Sequence, residues 1–114
     1  MSFKTIGVKL DGVPTDVVIG NFDNCIFIVL TQVKKFGSLL SVSAEKFKTA
    51  EGQQQVYNIR TLLGDEKESA LITARYLAEQ LEITKPAIFA VSLQDASARV
   101  LRSIKQVILE NKTW

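Results

Sequence analysis

The sequence predicts an α+β domain built on a mostly antiparallel six-stranded sheet with two helices, in the order βββββαβα. Three observations predict it. Apolar residues recur with period two over the first 63 residues, in runs separated by turn-forming residues. The period then changes to that of a helix after Asp65. Another strand-like run and another helical stripe follow, in that order. The 114 residues suit one domain spanning 1–114.

In the first strand Ile6, Val8 and Leu10 alternate with Thr5, Gly7 and Lys9. Asp11-Gly12 then reads as a tight hairpin turn, because glycine adopts positive φ without strain. The second strand is expected over Val13–Gly20, with Pro14 at its start, where no ladder donor is needed. Asn21–Asn24 reads as a turn. The third strand, Cys25–Gln32, carries apolar residues on both faces: Cys25, Phe27 and Val29 on one, Ile26, Ile28 and Leu30 on the other. A turn through Lys34, Lys35 and Gly37 leads to a fourth strand at Ser38–Ser43. Ala44–Gln55 is polar, with Gly52 and three glutamines, and is expected to be a mobile loop. Val56–Leu63 is the fifth strand.

Asp65, with Glu68 three residues on, has the spacing of a capping box. Ala70, Leu71, Ala74, Leu77, Ala78 and Leu81 then share one helical face, and the helix ends before Lys85-Pro86. Ala87–Leu93 is the sixth strand, apolar on both faces. Asp95 is placed to cap the last helix, whose stripe is Val100, Leu101, Ile104, Val107 and Ile108, running toward Trp114.

Six strands at about 4.8 Å make a sheet roughly 29 Å wide, and two helices about 10 Å across cover one face of it. The doubly apolar third and sixth strands therefore imply that the second face is buried against another chain. Both alternations of the third strand are candidates for that dimer interface, since the sequence does not say which one faces the helices.

Composition narrows the function. A net charge of +2 without a concentrated basic patch gives no sign of nucleic-acid binding. No stretch reaches the roughly 18 apolar residues of a membrane span, the N-terminus lacks a long apolar signal segment, and a single cysteine cannot close an internal disulfide. These features predict a soluble intracellular protein with no membrane partner. The chain has no histidine, which removes the commonest general base and metal ligand. Cys25 has no cation near it in sequence to activate its thiol and reads as a packed residue. The six glycines form neither a dinucleotide nor a P-loop motif. Arg60, Arg75 and Glu79 could line a small pocket, but their spacing does not require one. The residues therefore point to a dimeric non-enzyme, with no cofactor and no metal. Arg99, Arg102, Lys105 and Lys112 flank the last helical stripe, either as a solvated face or as a docking patch for an acidic partner.

From GVPTDVV (residues 12–18) onward, the chain resembles the proteasome assembly chaperone 3 family. The likeness continues through Val29-Leu30-Thr31-Gln32, the turn to Gly37 and Leu39–Ser43. It resumes at Thr61-Leu62-Leu63-Gly64-Asp65 and takes in the first helix, Ala87–Leu93, the last helix and Trp114. The resemblance implies a non-enzymatic chaperone of the cytoplasm, and of the nucleus too. Paired with a fourth assembly chaperone or with itself, it would bind proteasome α-subunits, promote α-ring assembly of the 20S core particle and then leave. The chain departs from the family pattern at Lys34-Lys35-Phe36 and in Ala44–Gln55. Those segments supply the expected α-subunit contacts: Lys34, Lys35, Glu45, Lys46, Phe47, Lys48 and Glu51, joined by Arg99 and Arg102. The alternative class is a roadblock- or longin-like dimeric scaffold of a trafficking or GTPase-regulating complex. Five strands before the first helix argue against it.

Overall fold

The computed structural model describes residues 2–32, 37–64, 67–94, 96–112 and 114. Among these, the elements are β1 (Ser2–Leu10), β2 (Val13–Asn21), β3 (Ile26–Thr31), β4 (Ser38–Thr49), β5 (Gly52–Leu63), α1 (Glu68–Gln80), β6 (Ala87–Ser92) and α2 (Ala98–Glu110). They form one six-stranded sheet in the order β1-β2-β3-β6-β4-β5. Every pairing is antiparallel except β3 with β6, which is parallel because the chain crosses over through α1 before entering the sheet between β3 and β4. The α+β order read from the sequence is the observed one.

The β1–β2 hairpin closes through Asp11 and Gly12, at φ 51° and 81°. Two positive-φ residues between paired Leu10 and Val13 match the twist of the flanking strands. At the other end of β2, the Phe22 N–H donates to the Cys25 carbonyl at 2.8 Å. The Lys85 ammonium donates to Asn21 Oδ1 at 2.6 Å and to the Phe22 carbonyl at 2.8 Å, tying this turn to the approach to β6.

One face of the sheet carries both helices. Val17 and Ile19 of β2, Ile26, Ile28 and Leu30 of β3, Ala87, Phe89 and Val91 of β6, and Leu40 and Val42 of β4 are buried there. They meet Ala70, Ala74, Leu77 and Ala78 of α1 and Val100, Leu101, Ile104 and Ile108 of α2. Helix α1 lies over β4, β5 and β6, and α2 reaches β2. Burying each large aliphatic side chain contributes on the order of 2 kcal/mol, so this layer accounts for most of the stability.

Two helix starts differ from expectation. Asp65 lies outside the described residues, and Glu68 opens α1 as its first helical residue with Lys67 at the cap position, so Glu68 does not take the third helical position that a capping box requires. Asp95 is also outside the described residues. The cap of α2 is Ser97, whose hydroxyl oxygen accepts from the Val100 N–H at 3.4 Å. Helix α1 ends in a Schellman arrangement: Glu82 takes φ 51°, its N–H reaches the Glu79 carbonyl at 3.3 Å, and the Ile83 N–H reaches the Ala78 carbonyl at 3.1 Å.

The larger correction is Ala44–Gln55, which is not a loop. β4 continues to Thr49 and β5 begins at Gly52, with paired register from Ala44↔Tyr57 out to Thr49↔Gly52. β4 pairs with β6 only over Ser38–Val42, so beyond Val42 the two strands run on as a two-stranded ribbon. At its tip, Gly52 adopts φ 119° and the Thr49 hydroxyl donates to the Gly52 carbonyl at 2.9 Å. The segment reads as a loop because solvent bathes both sides of a ribbon, so neither side has to be apolar.

Candidate interaction surface

Register places residues of successive strands side by side on the face away from the helices. One row is Phe3, Gly20, Phe27, Ile88, Ser41 and Arg60. The next is Thr5, Val18, Val29, Ala90, Leu39 and Leu63. Among the described residues no helix covers this face. Phe27, Val29, Val18, Ile88, Ala90 and Leu39 are half-buried by their neighbours alone, while Phe3 is 56% and Leu63 58% exposed. The third row, Gly7, Asp16, Thr31 and Ser92, is polar. The apolar part of the open face thus lies toward the ribbon end.

Gly20 makes room for the corner of this face. A Cβ there would stand 2.7 Å from the Phe3 ring, and the Phe3 and Phe22 rings meet edge to face at 5.4 Å between centroids.

The two alternations of β3 face opposite sides of the sheet. Ile26, Ile28 and Leu30 are fully buried beneath the helices and present no surface to another chain. Phe27 and Val29 belong to the open face, and Cys25 sits half-buried just before the strand, its Sγ 3.4 Å from the Ile26 carbonyl oxygen.

The residues expected to form one client patch are spread over both ends of the sheet. Lys34 and Lys35 lie outside the described residues. Glu45, Lys46, Phe47, Lys48 and Glu51 belong to the ribbon. Glu45 and Phe47 point to the open-face side, with Val56, whereas Lys46 and Lys48 point to the helix side, with Gln53 and Gln55. Glu51 is in the tip. Arg99 and Arg102 are at the start of α2, beyond the opposite end of the sheet, and the Arg99 guanidinium is 3.8 Å from the Asp11 carboxylate. β4 alone, at about 3.3 Å per residue, separates these ends by about 40 Å.

Arg60, Arg75 and Glu79 do not converge either. Arg60 is on the open face, while Arg75 and Glu79 share the outer side of α1 with Leu71, Ile72 and Tyr76. Arg75 donates to the Tyr57 carbonyl at 3.2 Å. Among the described residues, no three of His, Cys, Asp and Glu are grouped so as to hold a metal, and no helix is long and apolar enough to cross a membrane.

The ribbon and the exposed side chains Phe3, Leu62 and Leu63 are what sequence reading misses. Two equal arms of strand-compatible residues around the two-residue turn Ala50-Glu51 were the available signal for the ribbon.

Sheet, helices and open face together define a class: an α+β domain with helices on one side of the sheet and an apolar, uncovered surface on the other. Within that class, the family model described as Proteasome assembly chaperone 3 matches residues 28–111, and the chain belongs to that family. Proteasome assembly chaperone 3 of Homo sapiens is 28% identical over 106 residues, covering 90% of this chain and 86% of its own. The Mus musculus protein is 29% identical over the same length and shares. That of Nematostella vectensis is 26% identical over 104 residues, covering 83% of this chain and 77% of its own. Among solved structures, a chain of a chaperone complex for yeast 20S proteasome assembly superposes with a TM-score of 0.75 over 96% of this chain and 98% of that one. At 16% identity that likeness is one of fold.

Proposed function

We propose that this protein is a non-enzymatic chaperone that works as a dimer, binds proteasome α-subunits, promotes α-ring assembly of the 20S core particle and then dissociates. Family membership supports the process, and the uncovered apolar face carries the reading of how the protein takes part in it. Half-buried Phe27, Val29, Val18 and Ile88 form a contiguous apolar surface of the kind that stays wet only at a cost. A second sheet of the same kind laid on it would bury both as a sandwich about 10 Å thick. The partner is a second copy or a fourth assembly chaperone of the same architecture. Phe27 and Val29, with Cys25 at their edge, are the β3 contribution to that contact.

With the open face occupied, the client meets what remains exposed. The helix side of the ribbon offers Lys46 and Lys48 with no acidic residue among their cross-strand partners, and the tip offers Glu51. These residues dock the α-subunit, while Arg99 and Arg102 at the far end steer its approach, an effect that raises the association rate and fades with salt. Lys34 and Lys35 belong to the same proposal. The action is placed in the cytoplasm and also in the nucleus, which cell fractionation tests. Co-expression with the α-subunits of the same cell, followed by affinity capture, tests the client. Recovery of free α-subunits supports the reading. Recovery of small GTPases without α-subunits overturns it in favour of a trafficking scaffold.

A further inference from the structure

β5 is an outer strand of the sheet, with no strand on its free side among the described residues. In an antiparallel pair every second residue turns both its N–H and its C=O away from the neighbouring strand. The Tyr57 carbonyl accepts from the Arg75 guanidinium of α1 at 3.2 Å, so Tyr57 is one of these, and Gln53, Gln55 and Ile59 share its parity. Among the described residues no backbone group of another element pairs with them. Natural sheet edges are commonly guarded by lysine, proline or a bulge. The other outer strand, β1, carries Lys4 and Lys9. Residues 53–59 have no charge and no proline, and the irregularity in the pairing of β5 lies beyond them, opposite Leu39 and Leu40.

α1 walls this edge on the helix side. It follows β5 in the chain and runs back along it, and just past its close the Ile83 carbonyl accepts from the Tyr57 hydroxyl at 2.9 Å. Arg75 marks the flank of α1 that faces the edge, while Gln80, which accepts from Lys105 of α2 at 3.0 Å, marks the far flank. Leu71 and Ile72 stand one turn before Arg75 and Glu79 one turn after it, along one shallow cleft. Leu71 is half-buried and Ile72 is 50% exposed. At the ribbon foot a second open cleft, of about 460 Å³, has Glu79 and Glu82 in its lining with Gln55 and Tyr57. The ion pair found among the described residues joins Arg99 and Asp11, so neither glutamate has a cation in salt-bridge contact.

We infer that the β5 edge and the adjoining flank of α1 take an extended segment of a partner protein by strand addition: its backbone pairs with Gln55, Tyr57 and Ile59, an apolar side chain lies against Leu71 and Ile72, and a lysine or arginine enters the cleft lined by Glu79 and Glu82. Main-chain hydrogen bonds supply affinity that any extended chain can share, and the alternate side chains turned toward the helix supply selectivity. The exposed Arg75 holds the Tyr57 carbonyl until a backbone N–H of the incoming strand replaces it. A second copy suits this edge poorly. Pairing β5 with β5 about a two-fold axis sets two α1 flanks side by side, and like charges at Glu68 and Glu79 of each oppose the contact. The edge is separate from the open face, so the site persists whether or not another chain covers that face.

The probes are synthetic peptides of about ten residues that alternate valine with serine and carry one lysine near either end. They are titrated into the isotope-labelled chain, and hydrogen exchange is followed amide by amide by NMR. The expected result is saturable binding that slows exchange at Gln55, Tyr57 and Ile59 at least about tenfold. N-methylation of alternate peptide amides should abolish binding in one phase, where the methyl groups face β5, and spare it in the other. Replacing both acids, by Glu79→Gln with Glu82→Gln, should raise the dissociation constant at least about threefold. Failure of every peptide to bind overturns the inference. Binding that slows none of these amides, or that survives N-methylation in both phases, overturns strand addition and leaves charge attraction alone. Equal affinity after the double substitution overturns the assignment of the basic side chain. Protection of the same amides that grows with protein concentration in the absence of peptide gives the edge to a second copy and overturns the basic partner.

Discussion

Tyr57 anchors the foot of the ribbon to the end of α1. Its hydroxyl donates to the Ile83 carbonyl at 2.9 Å and accepts from the Gln55 side-chain amide. Burial raises its pKa above 10.0, opposed by the Gln55 hydrogen bond and reinforced by the negative charges of Glu79 and Glu82. The folded protein therefore favours the protonated form. The contribution is complete below pH 10 and is lost as pH rises through the folded-state value. Tyr57→Phe should cost about 1 kcal/mol at neutral pH, the net worth of one hydrogen bond, and should lessen the alkaline fall in stability. Urea unfolding at neutral and strongly alkaline pH checks both. Gly37 makes a sharper demand: a Cβ there would overlap the Val91 carbonyl oxygen, far inside van der Waals contact, and backbone cannot move aside as a side-chain tip can. Gly37→Ala should cost at least about 2 kcal/mol. Cys25→Ala, at a half-buried site, should cost no more than about 1 kcal/mol and leave partner binding intact. Loss of binding with folding preserved would show that the thiol has a role beyond packing.

At the scale of elements, what was legible in the sequence is what the core enforces. β3 and β6 announce themselves because they are apolar on both alternations, one buried beneath the helices and the other half-buried among its neighbours on the open face. The stripes of α1 and α2 are legible because only one side of each meets the sheet. The outer ribbon is pinned by cross-strand pairing and turn chemistry rather than by burial, so hydrophobic period says little about it. Which alternation of β3 meets the helices is likewise a tertiary fact: Ile28 and Val29 are equally apolar, and only the placement of α1 and α2 separates them. Ser97 and Asp95 are both competent caps, and removing the one observed, by Ser97→Ala, should cost about 1 kcal/mol in thermal or urea unfolding. The ribbon's two sides should also separate by function. Reversing Lys46 and Lys48 to glutamate should leave the dimer mass unchanged and weaken α-subunit binding. Reversing Arg99 and Arg102 should slow association more than it hastens release. Surface-binding kinetics at two salt concentrations distinguish the two effects, and unchanged binding after the Lys46/Lys48 reversal would place the client elsewhere.

For the molecule as a whole, helices on one side of the sheet leave the other side uncovered among the described residues, and the proposed dimer is what would finish it. The apolar rows centred on Phe27, Val29 and Ile88 join the exposed ribbon residues Phe47 and Val56 in one surface, and the charged and polar groups proposed for the client lie outside it. Under the proposed function, pairing and client binding can then occur together. The most direct test is the mass in solution, at micromolar concentration, of the protein and of Phe27→Asp. Phe27 belongs to the open face, so the substitution spares the helix-covered core, while a charge buried without a partner in the sandwich costs several kcal/mol. The account predicts twice the single-chain mass of 12.6 kDa for the parent and a folded particle of the single-chain mass for the variant. A parent that runs as a single chain, or a variant as dimeric as the parent, would contradict it.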